Sequence, residues 1–421
     1  MIKYGRFSDG GLGFLRRSTI ASPPQLASEE SLGPGRPELL RKVNAAEILR
    51  LVRLHGPCSR ADLSRGSRLS VPTVSSSIAY LEKRGLVERI GMGGSKGGRP
   101  PEIVRFNHSF GCVVGVDIGS SALRFALADL AGNIIGKLNV PIRGRATPPR
   151  VVAMVSTAVA RLLKTHGVSR RKLLAIALGA PGATDSREGI VRSAPHLADW
   201  ENVPLGRLIS ANLGLPAIIE NDMNVGALGE SWRGTARAVP EFVFVGIGDG
   251  VGAGVVLNGR LYHGADWTAG EIGYLAVPGT RSGPLDELQP GPLEEVVGGR
   301  GIEQTWRRAN GGRQRLRAEE ILDLAEDGNR LAQGIVERTA RVLAAGILNL
   351  SVVLNPRLVV FGGQIGAHRV LFGATERVIA QSRIATPLLA MSLLGQEAQL
   401  MGAVWLATRA AEARVLTAEP E

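Results

Sequence analysis

The chain has little cysteine, few aromatic residues and no long apolar run. Its 421 residues include two cysteines, Cys58 and Cys112, far apart in sequence. Two thiols exclude a disulfide framework and a four-cysteine metal site, and both are expected to be buried structural thiols. No stretch approaches the roughly 20 apolar residues needed to span a bilayer, and the first thirty residues lack the compact apolar stretch of a signal peptide. The expectation is a cytoplasmic protein with no membrane partner. Acidic residues are scarce at one end only. Residues 1–110 hold 18 Lys and Arg against 9 Asp and Glu, whereas the other 311 residues hold 32 against 29. Most of the net charge of +12 therefore sits at the N-terminal end, as a basic tail or a nucleic-acid-binding module would require.

What is present is a chain with 44% hydrophobic residues, long enough for two or three domains that each bury a core. Residues 1–36, rich in Gly, Ser and Pro, show no sustained periodicity and read as a flexible tail. From Pro37 a helical period appears, with Leu40, Val43, Ile48, Leu49 and Val52 roughly on one face, ended by His55-Gly56-Pro57. Ser59 is placed to cap a short helix through "RADLSRGS", and Ser70 to cap a second helix that starts near Pro72 and closes at Gly85. In that second helix Val74, Ile78 and Leu81 face inward, while Ser70, Thr73, Ser75, Ser76 and Ser77 offer hydroxyls near its start. A helix-turn-helix presents this region to the major groove of double-stranded DNA. "LVERI" and "EIVRF" then read as two short strands joined by "GMGGSKGG", a wing carrying Lys96. At its foot, "GGRPP" can lie extended in a narrow minor groove with Arg99 in its negative potential. Residues 37–110 are accordingly expected to form a winged helix-turn-helix, with a small protein-contact domain as the alternative.

From Gly111 the texture turns apolar and β-branched. "CVVGVDIGSSALRFALADLAGNIIGKLNV" reads as three consecutive strands, and "FVFVGIGDGVGAGVVLNGRLY" repeats the plan from Phe242. Two such openings imply a duplicated α/β fold of two lobes, 111–235 and 236–421, with a cleft between them. The second lobe is expected to add effector-binding and dimerisation elements. The crowded glycines of "VGIGDGVGAGVVLNG" suit either a phosphate-receiving loop or a tight turn between strands.

"DIGSSALR", "GAPG", "ENDMNVGALGE", "GIGDGVGAGVVLNGRLYHGADWTAGEIGY", "GPLEE" and "NPRLVVFGG" occur in the order and approximate spacing of the ROK family, which this chain resembles over residues 38–410. That family comprises sugar kinases and sugar-responsive repressors. Its fold is two-lobed, actin-like or hexokinase-like, of the ribonuclease H-like ATPase class, and its repressors carry a winged helix ahead of it. The resemblance implies a sugar or sugar derivative held by Gly182, Asn221, Asp222, Glu271, Tyr274 and Glu294. Asp222 would be the general base in a kinase, although it could equally cap the helix that follows it. Tyr274 could give a hydroxyl to the effector or serve packing, and His196 and His263 are read as satisfied or exposed histidines.

The departures from the family point away from catalysis. Ser120 stands where the kinases have a phosphate-facing glycine, and Ala122 and Leu123 replace small polar and basic groups. Asp249 occupies a position that is commonly Thr, where a carboxylate about 4 Å from a phosphate charge costs about 4 kcal/mol at an effective dielectric of 20. The family's zinc set is missing as well: Tyr274, Leu285, Glu287 and Pro292 do not supply four donors. The expectation is no cofactor, no metal and no catalytic residue. The resemblance leads to the expectation of a DNA-binding regulator, a repressor, acting as a homodimer or higher homo-oligomer on operator DNA under sugar control. The rivals are an active sugar kinase with an appended DNA-binding domain and a nonspecific DNA binder with a vestigial cleft. The helix around Val342–Leu354 could join an interface or be buried in its own lobe.

Overall fold

The computed structural model describes residues 37–92, 101–194, 197, 199–285 and 289–417. The expected tail 1–36, the wing residues Lys96 and Arg99, His196 and Glu287 lie outside the described residues.

The N-terminal unit begins with α1 (Pro37–His55), which stops where Gly56 takes φ +76°. A two-residue strand β1 (Cys58–Ser59) leads into α2 (Arg60–Ser67). Ser59 and Asp62 form a reciprocal capping box at that junction, an arrangement that contributes about 1 kcal/mol. Ser70 caps α3 (Val71–Lys83) by accepting from the Thr73 amide, with Pro72 in the first turn where no N–H is missed. Gly85, at φ +69°, ends it. Strands β2 (Val87–Met92) and β3 (Glu102–Phe106) pair antiparallel, and β1 completes a sheet of order β1-β3-β2. Helix, helix, recognition helix and wing follow in the expected order. One detail differs: Leu40 and Val43 are each 57% exposed, and the buried face of α1 consists of Ala45, Ile48, Leu49, Leu51 and Val52. Among the described residues, Leu40 and Val43 lie outside the packed face that starts at Ala45.

The first lobe opens with a meander of β4 (Cys112–Ile118), β5 (Ala122–Asp129) and β6 (Ile134–Pro141), followed by α4 (Pro148–Thr165) and β7 (Leu173–Ala180). A small antiparallel sheet of β8 (Ala183–Asp185), β9 (Ile190–Ser193) and β10 (Glu201–Val203) precedes α5 (Leu205–Leu213), β11 (Ala217–Asn221) and α6 (Asp222–Arg233). The second lobe repeats the opening with β12 (Phe242–Ile247), β13 (Val251–Leu257) and β14 (Arg260–Leu261). It continues through α7 (Glu294–Val297), α8 (Gly299–Ala309), α9 (Ala318–Glu326) and α10 (Arg330–Leu354). Strand β15 (Leu358–Gly362), α11 (Gly363–Gly366), α12 (Arg369–Ile379), β16 (Leu388–Met391) and α13 (Ala398–Thr417) complete the chain.

The two main sheets have matching orders, β6-β5-β4-β7-β11 and β14-β13-β12-β15-β16. In each, the second strand of the meander runs antiparallel to the first, and the later strands are parallel to it. This is the duplication expected from the repeated sequence plan. One face of the first sheet packs on α4 and α5, and one face of the second on α8, α9, α10 and α12. Between the sheets lie α6 and α13, whose Ala227 and Ala398 join Phe242 and Phe244 in one buried cluster. The inner face of helix α10 is buried in its own lobe, as one of the two expectations had it. Val342, Leu343 and Ile347 are buried in its own lobe, while Val352 and Val353 near its end are exposed. Cys58 and Cys112 are buried free thiols, with burial pushing Cys112 up to about 11. Among the described residues no helix is long and apolar enough to cross a membrane.

Candidate functional site

A cavity of about 240 Å³ opens between the lobes at the carboxyl ends of β4, β11 and β12. Strand ends in α/β sheets present side chains and backbone groups into such a crevice. Gly182, Asn221, Asp222, Glu271, Tyr274 and Glu294 all line it. Gly182 must be glycine: it has φ +81°, and a Cβ there would meet the Ser193 carbonyl oxygen at 2.1 Å.

Asn221 ends β11 and caps α6. Its Oδ1 accepts from the amides of Met223 (2.9 Å) and Asn224 (3.1 Å), and its Nδ2 donates to the Gly182 carbonyl at 3.0 Å. The cap that the sequence offered to Asp222 thus belongs to its neighbour. Asp222 becomes the first helical residue, with Oδ1 accepting from the Met223 amide at 2.9 Å. Its carboxyl faces the cavity from a partly buried position. Burial first, then the nearby carboxyls of Asp117 and Glu271, push it up to about 8, against the backbone N–H groups that favour the anion. Burial and the neighbouring carboxyls thus favour the protonated form of Asp222.

Asp117, at the end of β4, is 3% exposed, and burial raises its pKa while Arg124 opposes the rise. Arg124 is its cross-strand partner in the β4–β5 register, with Nε and Nη2 at 2.7 and 2.6 Å from Oδ2. This pair was missed at the sequence level, although "DIGSSALR" holds both members and a tight turn at Gly119 sets them opposite. The same arginine donates to the Gln396 carbonyl at the entry to α13. Arg300 and Gln289 also line the cavity and were not singled out.

The glycine-rich segment is the β12–β13 hairpin, with Asp249 at its tip and the Gly248 amide donating to the Gly250 carbonyl at 3.0 Å. Several of its glycines admit α6. A Cβ at Gly254 would meet the Met223 carbonyl oxygen at 2.5 Å, and one at Gly246 would meet the Met223 Sδ at 2.2 Å. Asp249 faces the cleft: its Oδ2 accepts from the Ser120 hydroxyl of the β4–β5 turn at 2.8 Å. The two loops that the resemblance assigns to phosphate are thereby joined to each other across the lobes. Glu294 closes the same corner by accepting from the Val251 amide at 3.0 Å.

A second bridge lies beside the first. His263 Nε2 is 2.9 Å from Oε2 of buried Glu220, whose Oε1 accepts from the Asn221 amide and from Asn224 Nδ2. His263 also packs on Trp267, over which Arg187 of the first lobe sits at 5.9 Å. His263 is thus a satisfied histidine that holds the cap region from behind.

On the N-terminal unit, Ser70 and Ser76 are exposed at the start of α3, with Thr73 and Ser75 half-buried beside them. Ser70 Oγ lies 2.8 Å from Thr73 Oγ1, and Ser76 donates to the Thr73 carbonyl at 2.9 Å. Ser77 departs from the expected surface. It is 1% exposed, one helical turn from Val74 and beside Ile78, so the helical period carries it to the inner face.

The ROK family profile matches residues 113–410, and a MarR family profile matches residues 42–94. A putative xylose repressor of Caldicellulosiruptor sp. (strain Rt8B.4) is 30% identical over 360 residues, which cover 83% of this chain and 90% of the relative. A glucokinase of Halalkalibacterium halodurans is 29% identical over 318 residues, covering 70% of this chain and 94% of the relative. Among solved structures, a ROK family transcriptional regulator described as a homolog of the E. coli MLC protein superposes with a TM-score of 0.76 at 26% identity. That superposition covers 90% of this chain and 98% of the regulator. The glucokinase thus covers 70% of this chain and the regulator 90%. The chain belongs to the ROK family, and it carries a winged helix-turn-helix ahead of the sugar-kinase-like fold.

Proposed function

We propose that the chain is a DNA-binding transcriptional repressor whose interlobe cavity binds a sugar or sugar derivative and whose former nucleotide loops no longer accept ATP. The observation that carries this reading is the Ser120–Asp249 hydrogen bond. It supports this reading because, if these two turns face a triphosphate as the resemblance implies, a carboxylate there repels it, and Arg124 is already engaged by Asp117 within the protein. On the other side of the cleft, Asp222, Glu271, Glu294 and Asn221 still offer carboxyl and amide groups suited to sugar hydroxyls, where charge-assisted hydrogen bonds contribute about 1.5–3 kcal/mol each. Ser70, Thr73, Ser75 and Ser76 of α3, with Lys96 and Arg99 of the wing, make the DNA contacts. The chain acts as a homodimer on a two-fold operator, since one recognition helix reads only one half-site.

The test is calorimetry of the full chain with D-xylose, D-glucose and N-acetylglucosamine, each with and without MgATP, alongside a coupled phosphorylation assay. A sugar is expected to bind without nucleotide, and MgATP to give neither heat nor turnover. Turnover near one per second, or ATP binding that the Asp249→Asn variant fails to strengthen, overturns the reading in favour of an active kinase.

A further inference from the structure

The cavity and the DNA-binding head are linked by two helices. Helix α6 starts at the cavity with Asn221 and Asp222, and within two turns it meets α13 backbone to backbone. A Cβ at Gly402 would fall 1.8 Å from the Val225 carbonyl oxygen, and one at Gly229 would fall 2.1 Å from that of Ala398. On its other side α13 touches β4, where a Cβ at Gly115 would meet the Val404 amide at 2.6 Å. Packing this close leaves α13 no freedom to absorb a shift of α6 by side-chain adjustment. About ten residues, roughly 15 Å, beyond Gly402, α13 presents Glu412.

Glu412 forms an ion pair with Arg53 in the last turn of α1. Arg53 is partly buried: it donates to the Leu130 carbonyl of the first lobe at 3.0 Å and lies 5.0 Å over the Phe106 ring of the wing. Glu412 has a second cation, Arg409, at 3.1 Å on its own helix, so it keeps a partner when Arg53 departs. Beside the pair lies an open cleft of about 930 Å³ lined by Trp232, Trp405 and Arg50. A contact with a substitute partner can hold two arrangements, as a switch needs, while the apolar floor that α1 shares with α13 keeps the head attached.

We infer that Arg53 and Glu412 are the positioning residues through which occupancy of the cleft moves the DNA-binding head. The inference rests on the cleft being the effector site, but its primary test needs no effector. Removing the α6 cap with Asn221→Ala loosens the cavity end of the relay. In the otherwise unchanged full chain, this substitution should speed amide hydrogen exchange in the last turns of α1 at least threefold. On a Glu412→Gln background it should add nothing, and the exchanged pair Arg53→Glu with Glu412→Arg should restore the response. Three results overturn the inference: equal acceleration in both backgrounds, no acceleration in either, or acceleration spread equally over α4 and α10, which is global unfolding. A sugar that binds the parent should bind Glu412→Gln with the same Kd yet no longer change its affinity for a duplex selected on the parent. If no sugar binds the parent while the exchange cycle behaves as expected, the effector reading fails and the relay stands.

Discussion

Burial, and after it the carboxyls of Asp117 and Glu271, push Asp222 towards its protonated form. Its pKa in the folded chain, about 8, lies above its ordinary value of 3.8, so the folded state binds the extra proton between those limits. The associated stability is present at low pH and is lost as pH rises through 8. Asp222→Asn removes this dependence. In denaturant titrations the variant should gain on the parent between pH 5 and pH 9, by up to about 4 kcal/mol for about three units at roughly 1.4 kcal/mol each. A constant difference across that range would mean that the carboxyl is already ionised at pH 5. Ser77 makes a smaller prediction. Its hydroxyl is buried with no hydrogen-bond partner among the described residues, and Ser77→Ala removes only that unsatisfied group. The Ser77→Ala variant should match or exceed the parent in stability, and its duplex affinity should be unchanged.

At the level of elements, the α6–α13 contact is set by glycine. Gly402→Ala would drive a methyl group into the Val225 carbonyl, and overpacking of this kind costs about 1–3 kcal/mol or more. Thermal melting of this variant should fall by several degrees, with loss at both the cavity and the head, whereas an alanine tolerated without change would mean that the helices are not in backbone contact. The same elements show what the sequence made legible. Ser59 and Ser70 could be placed because a cap bonds to an amide only two or three residues away. The strand ends that carry Gly182 and Asn221 were visible as apolar runs that stop. Asn221 and Asp222 were confused because a helix boundary is uncertain by a residue in any pattern reading. Arg124 opposite Asp117 needed the hairpin register, not the period alone. Ser120 and Asp249 are separated by 129 positions, and no local rule brings them together. Ser77 was misplaced because a run of short hydroxyls looks like surface even where the period points inward.

The whole molecule is electrically lopsided, with the basic surplus at the head and near balance over the lobes. Duplex affinity should therefore fall steeply with salt, by about 10³-fold between 50 and 200 mM if six or more phosphates are neutralised. Arg99→Ala should weaken binding and lower the salt slope by about one. A mutant with unchanged affinity at fixed salt would remove Arg99 from the interface. The head is also not an independent body. Ile48, Leu49 and Val52 of α1, with Val74 and Ile78 of α3, form one continuous apolar cluster with Val113, Ala126, Ala175, Val404 and Ala407. The reader of DNA thus shares its foundation with the kinase-like trunk. Cutting the chain near residue 110 would strip both halves of their common floor and leave each fragment with a greasy scar, so neither should persist as a folded piece.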